Sequence, residues 1–181
     1  MNFTKTPLSG AFLVDLEPAS DDRGFFARTF CEDEFAKRGL PRRFVQCNIS
    51  FNAKRGTLRG MHFQAAPHAE SKLVRCTSGA IFDVIVDIRR SSATYCSWYG
   101  IELTSANRRS LFIPDGYAHG FLSLEDNSEV SYMMSTAYAP DFARGFRWDD
   151  AAVGIRWPAK PAIISERDAT YPVLEDSHGG W

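Results

Sequence analysis

T-L-R-G-M-H-F-Q, residues 57–64, sets an arginine and a histidine three positions apart in a run of strand length. An extended chain alternates its side chains between two faces. Simple alternation puts His62 with Leu58 and Gly60, and Arg59 with Met61 on the other side. For Arg59 and His62 to reach one pocket, the strand must break phase, and Gly60 is the natural place for a bulge. Without a bulge, one of the two residues points away.

The flanking sequence repeats the same rhythm. Strands are expected at 10–17, in the Phe-rich stretch after the Asp21–Gly24 turn, and at 44–51, 58–64, 72–77, 81–88, 98–104, 110–113, 120–124 and 129–136. Ser78-Gly79 marks one of the turns. Short strands at this spacing with polar turns predict an antiparallel sandwich or barrel. The best helix candidate is short, Glu32–Arg38, with Gly39 as its stop and Pro41 beyond. No βαβ rhythm and no internal repeat is present. The 181 residues suit one domain, 1–181, with 158–181 as a tail wrapping the barrel.

Period-two alternation also assigns chemistry to faces. Asp83 and Asp87 share one face of the 81–88 strand, which predicts a polar cavity inside the barrel. The alternative is a solvent-facing side. Val130, Tyr132, Met134, Thr136 and Tyr138 share a face, placing two tyrosines on one wall.

Composition removes several functions. Net charge is −1 and no long basic block occurs, so neither nucleic acid nor an anionic membrane is an expected partner. No apolar run approaches the roughly 18 residues of a membrane span, and the N-terminus has no signal-peptide core. A cytoplasmic location is the expectation. Cys31, Cys47, Cys76 and Cys96 form no CxxC or CxxH pair, which argues against a thiolate metal site and suits a reducing compartment.

Pro114-Asp115-Gly116-Tyr117-Ala118-His119 has the spacing PxGxxH, which resembles the second cupin motif and points to a jelly-roll barrel. In metal cupins that histidine is a ligand, and a HxH pair is also required. Here His62-Phe63-Gln64 places a glutamine where the second histidine belongs, so neither a metal nor a cofactor is expected. Without a metal, His, Lys, Tyr and Asp suit proton abstraction beside a carbonyl. Imidazole, with an ordinary pKa of about 6.5, is a free base at neutral pH. An ammonium stabilises the enolate oxygen. A phenol returns a proton from the opposite face.

The order of motifs sharpens this reading. D-x-R-G-x-F at 21–26, Q-x-N-x-S at 46–50, G-T-L-R-G-M-H-F-Q at 56–64, P-H-A-E-S-K-L-V-R at 67–75, I-P-D-G-Y-A-H-G-F at 113–121, Y-A-P-D-F-A-R-G-F-R-W-D-D at 138–150 and S-E-R-D at 165–168 occur in sequence. Together they resemble the dTDP-4-dehydrorhamnose 3,5-epimerase family. The resemblance implies an all-β, cupin-type jelly roll with a few short helices, forming a homodimer without a metal. It implies inversion at C3, C5 or both of a nucleotide-linked 4-keto-6-deoxy sugar through an enolate. It implies His62 as base, Asp168 as its orienting carboxylate, Tyr132 as opposite-face acid and Lys72 near the ketone oxygen, with Asp83 an alternative partner for His62. Arg23, Gln46, Asn48, Arg59 and His119 become substrate, phosphate or nucleotide contacts, and Tyr138 a stacking residue. Arg28, Ala143 and Arg167 depart from residues common in the family, two of them at positions expected to bind substrate (Arg28 and Arg167). These departures leave open a CDP- or GDP-linked sugar or inversion at a single carbon. A metal-dependent cupin and a non-catalytic sugar-nucleotide binder are the readings from other classes.

Overall fold

Two antiparallel sheets face each other in a computed structural model that describes residues 1–176. The first sheet contains β1 (Asn2–Lys5), β2 (Phe12–Asp15), β5 (Gln46–Asn52), β7 (Lys72–Ser78), β10 (Ser110–Ile113) and β12 (Ser128–Met134). Their order is β1-β2-β10-β7-β12-β5. The second contains β6 (Thr57–Gln64), β8 (Ala80–Asp87), β9 (Trp98–Thr104), β11 (Tyr117–Ser123) and β13 (Ala143–Gly145). Its order is β13-β6-β11-β8-β9, and β14 (Ile163–Ile164) adds in parallel to the start of β6. A separate hairpin pairs β3 (Ala19–Asp21) with β4 (Gly24–Phe26). The helices are α1 (Glu32–Ala36) and α2 (Glu166–Ala169). This is a jelly roll of the cupin type.

Side-chain alternation explains the packing. Val74, Cys76, Leu111 and Val130 of the first sheet meet Ile81, Ile85, Leu103 and Phe121 of the second in one apolar core. The outer faces are also covered. Met61, Val84, Val86 and Phe146 lie behind the second sheet under the chain near Val153 and Leu174. Phe35 of α1 is fully buried against Val14, Leu73 and Phe112 on the first. Four phenylalanines, Phe3, Phe30, Phe44 and Phe112, meet its ring edge-on at 4.9–6.0 Å.

Sequence and structure differ in a few places. The stretch 10–17 shortens to β2, and β1 precedes it unforeseen. The Phe-rich stretch after Gly24 gives only three strand residues. The expected polar interior along β8 exists at one end only. Asp83 faces His119, whereas Asp87 is clipped at the far end by Arg89, Ser92 and Thr94 at 2.6–2.9 Å. Burial opposes ionisation of Asp87, but those donors outweigh it and hold its carboxyl at about 2. Between the two acids, Ile85 belongs to the dry core. The tail does more than wrap the outside: β14 joins the second sheet and α2 delivers Asp168 to it. His178, given no role from sequence, lies outside the described residues.

Phe35→Ala should lower unfolding free energy by about 3–5 kcal/mol, the cost of emptying a packed aromatic site. Urea titration checks this. A loss under ~1 kcal/mol would mean that α1 is not anchored through this ring.

Candidate active site

The phase break expected at Gly60 is present. In the β6–β11 ladder His62 stands opposite His119, while Arg59 stands opposite Phe121. Two residues, Gly60 and Met61, therefore face the single Gly120. The Gly60–Met61 peptide is cis. Gly60 has φ +134, and a Cβ there would stand 2.5 Å from Gly120 Cα, so this crossing admits no side chain. The outcome is that Arg59 and His62 line the same cavity, together with Lys72, His119 and Tyr132. Met61 turns outward into the apolar layer behind the sheet.

His62 is oriented from behind. Its Nε2 lies 2.8 Å from Asp168 Oδ1, and the Gly60 N–H donates to Asp168 Oδ2 at 3.1 Å. Asp168 is presented by α2, whose N-cap Ser165 accepts the Asp168 N–H at 3.1 Å. The S-E-R-D run has the spacing of a capping box, but the carboxylate turns to the imidazole instead of back to the cap. Burial pushes the Asp168 carboxyl up, and the His62 and Gly60 contacts outweigh it, so the net shift is downward. An Asp168 carboxylate accepting from Nε2–H leaves the Nδ1 lone pair as the basic site. Tyr171 packs edge-on against the His62 ring at 5.9 Å.

Asp83, the other expected partner for His62, is engaged elsewhere, with its Oδ1 2.7 Å from His119 Nε2. The cavity thus holds two histidines, each tied to its own carboxylate. Tyr132 reaches in from the opposite sheet, its ring 6.0 Å from that of His119. Burial and the nearby Asp83 charge push its phenol well above the ordinary value, so it keeps its proton at neutral pH. Lys72 is buried, with Nζ 3.2 Å from Glu70 Oε1. Gln64, in the place of a cupin ligand, is a brace: it donates to Glu70 Oε2 at 3.1 Å and accepts the Ala139 N–H at 2.6 Å. Among the described residues no group of three or more His, Cys, Asp or Glu is arranged to hold a metal ion.

The cavity continues past His62 and Asn48 into a second lobe. Gln46, Tyr138, Arg144 and Arg167 form its wall. Gln46 accepts the Tyr138 N–H and fixes this edge. Two guanidiniums beside an exposed tyrosine make a surface suited to phosphate oxygens and a planar base. Arg59, whose Nε donates to Asn52 Oδ1 at 2.8 Å, adds a third cation in the first lobe. Arg23 and Arg28 are not brought here. Arg23 sits at the tip of the β3–β4 hairpin, 90% exposed and paired with Asp21. Arg28 lies near Glu34. That hairpin pairs with neither main sheet, so nothing steers it to the cavity of its own chain.

Sequence reasoning missed Glu70, Asn52, Arg144 and Tyr171. For Glu70 a signal existed: it stands two residues before Lys72, and in extended chain that spacing puts both on one side. Arg144 was hidden inside a motif read for Ala143. Asn52 and Tyr171 act through their neighbours, and no local pattern marks them.

A jelly roll with a His–Asp pair, a buried lysine and a neutral tyrosine around one cavity defines a proton-transfer enzyme of the cupin class. Comparison with known proteins gives the family. The family model described as dTDP-4-dehydrorhamnose 3,5-epimerase matches residues 5–176. A protein of that name from Methanothermobacter thermautotrophicus is 46% identical over 178 residues, covering 97% of this chain and 95% of its own. The crystal structure of a dTDP-6-deoxy-D-glucose-3,5-epimerase from Legionella pneumophila, in complex with dTDP-4-keto-L-rhamnose, superposes with a TM-score of 0.90 at 33% identity, covering 96% of this chain and 93% of its own. A 3'-monoepimerase from Streptomyces bikiniensis, in complex with dTDP-quinovose, gives 0.87 at 31%, covering 94% and 88%. The chain belongs to the dTDP-4-dehydrorhamnose 3,5-epimerase family.

The lowered Asp168 carboxyl has a consequence for stability. Its contribution is full above the unfolded value of about 4 and is lost as pH falls through the lower folded value. Wild type should exceed Asp168→Asn in stability at pH 6, and the gap should close as pH drops below ~4. Urea midpoints measured across that range test this. A gap that persists unchanged in strong acid would mean that the carboxylate charge is not its source.

Proposed function

We propose that this chain epimerises C3 and C5 of dTDP-4-keto-6-deoxyglucose, giving dTDP-4-dehydro-L-rhamnose. The observation that carries this reading is the 2.8 Å His62–Asp168 pair facing the same cavity as Lys72 and Tyr132. His62, oriented by Asp168, removes the proton alpha to the C4 ketone, and the C–H electron pair moves into the enolate. The Lys72 ammonium stabilises the oxyanion. Tyr132 delivers a proton to the opposite face, which inverts the carbon. Both carbons flank one ketone, so one enolate chemistry serves each. Arg59, Arg144 and Arg167 bind the diphosphate, His119 and Asn48 contact the sugar, and Tyr138 stacks on the base.

The working form in this reading is a homodimer in the cytoplasm, each chain acting as one catalytic domain. Ile49 and Phe51, 67% and 55% exposed on the edge strand β5, and Phe26, 80% exposed on the hairpin, support a covering partner. A second copy is also the route by which Arg23 and Arg28 reach a nucleotide. Four free thiols suit a reducing compartment. No helix among the described residues is long and apolar enough to cross a membrane.

Incubation with dTDP-4-keto-6-deoxyglucose in D₂O, followed by NMR at C3 and C5, tests the function. Label at both carbons with inversion is expected. Label at one carbon would make the chain a mono-epimerase, and no label would direct the assay to CDP- and GDP-linked 4-keto sugars. His62→Ala should abolish exchange, and retention of wild-type exchange would remove the base assignment. Tyr132→Phe should still exchange through His62 yet fail to invert. Lys72→Ala should lose on the order of 10²-fold in turnover.

A further inference from the structure

Each inversion leaves the site out of balance. His62 has gained the proton from carbon, and Tyr132 has become a phenolate by giving its own. One proton must pass from His62 to Tyr132 before the next inversion, and a substrate inverted at two carbons requires this within one visit. The two residues lie on different sheets, His62 on β6 and Tyr132 on β12. His119 neighbours both. It is the direct cross-strand partner of His62, and its ring makes an edge contact with that of Tyr132 at 6.0 Å.

Asp83, behind His119, is built in an unusual way for a structural residue. It is fully buried, its Oδ1 meets His119 Nε2 at 2.7 Å, and its Oδ2 has no hydrogen-bond partner among the described residues. Burying a carboxylate with half of its acceptors unused is costly. The cost falls when His119 becomes an imidazolium, because the charge then has a counterion in contact. The remaining His119 nitrogen, Nδ1, has no hydrogen bond among the described residues and is free to take and give a proton. Other charges nearby are committed: Lys72 to Glu70, Arg59 to Asn52 and Phe51 O, and Asp168 to His62.

We propose that the His119–Asp83 pair is the proton return of this site, carrying the proton from protonated His62 to the Tyr132 phenolate after each inversion. The inference rests on the epimerase reading. His119 accepts the proton at Nδ1 from His62, Asp83 stabilises the imidazolium, and His119 releases the proton to the phenolate oxygen. His62 returns as a free base and Tyr132 as a phenol, with no net gain or loss of protons. Burial supports the need for such a path, since a phenolate is strongly disfavoured at Tyr132. Asp83 acts through His119 and is a positioning residue.

The test is a rapid-quench experiment with dTDP-4-keto-6-deoxyglucose at concentrations comparable with enzyme sites, following inversion and solvent deuterium exchange separately. Wild type should invert without a burst. Asp83→Asn should invert about one carbon per site at a rate near wild type, using the proton already on Tyr132. It should then slow on the order of 10²-fold, the worth of assisted proton transfer. Same-face exchange by His62, which does not consume the Tyr132 proton, should continue at its wild-type rate. His119→Asn, which also loses its sugar contact, should slow later inversions by more than it slows the first, and it keeps the test open if Asp83→Asn does not fold. Equal slowing of the first and later inversions in both variants would overturn the relay, as would unchanged turnover. Wild type that neither exchanges nor inverts would overturn the dTDP-sugar reading, and the same comparison of variants is then run with the CDP- or GDP-linked 4-keto sugar that the wild type does exchange. Active wild type without a burst in the variants sinks the relay alone.

Discussion

Two residues facing one in the β6–β11 ladder is the constraint on which the site depends. A strand in strict alternation would present either Arg59 or His62 to the cavity, never both. The extra residue at Gly60–Met61 restores Arg59 and His62 to one side and sends Met61 into the apolar layer behind. Gly60 and Gly120 make the crossing sterically possible, because a Cβ on either would meet backbone or the Met61 sulfur within 3 Å. The same bulge frees the Gly60 N–H from the ladder and aims it at Asp168. One local irregularity thus places an imidazole, a cation and the donor that holds the imidazole's carboxylate.

The acidic groups of the site are supplied in different ways, and the difference is physical. Asp83 comes from the middle of a strand buried on both faces, so its position is as rigid as the core around it. Asp168 comes from a four-residue helix in the C-terminal segment, held by a Ser165 cap and by its contacts with β6. A short helix has little stability of its own. The His62–Asp168 bond is therefore also a tether that docks this segment on the sheet. Glu70 follows a third route, reaching Lys72 from a loop that Gln64 braces. In a metal cupin the Gln64 position would carry a ligand. Here the amide holds an anion, and the anion holds a cation.

Much of this was legible in the residues. The strand rhythm, the short helix stopped by Gly39 (φ +70) and the phase problem at Gly60 each follow from local chemistry. Partner choice was not legible. Whether His62 takes Asp168 or Asp83 depends on where a segment more than 100 residues away docks, and no periodicity encodes that. The polar interior inferred from Asp83 and Asp87 was half right, because alternation fixes a face and says nothing about what lies opposite. Tyr171 and Asn52 escaped because they act by packing and by orienting a neighbour. Arg23 and Arg28 show the limit most clearly: the motif that carries them was readable, yet the fold of one chain leaves them far from the cavity.

The two histidines of the cavity are held alike. They are directly opposed across a ladder, yet each is bonded through Nε2 to a separate carboxylate, Asp168 behind one and Asp83 behind the other. Two imidazoles side by side would resist both carrying charge, and a separate anion behind each lowers that resistance. Tyr132, by contrast, is packed against the core, and burial disfavours its phenolate. In the proposed reaction, inversion at two carbons that flank one ketone would call for a mobile proton on one sheet facing a phenol to be restored on the other.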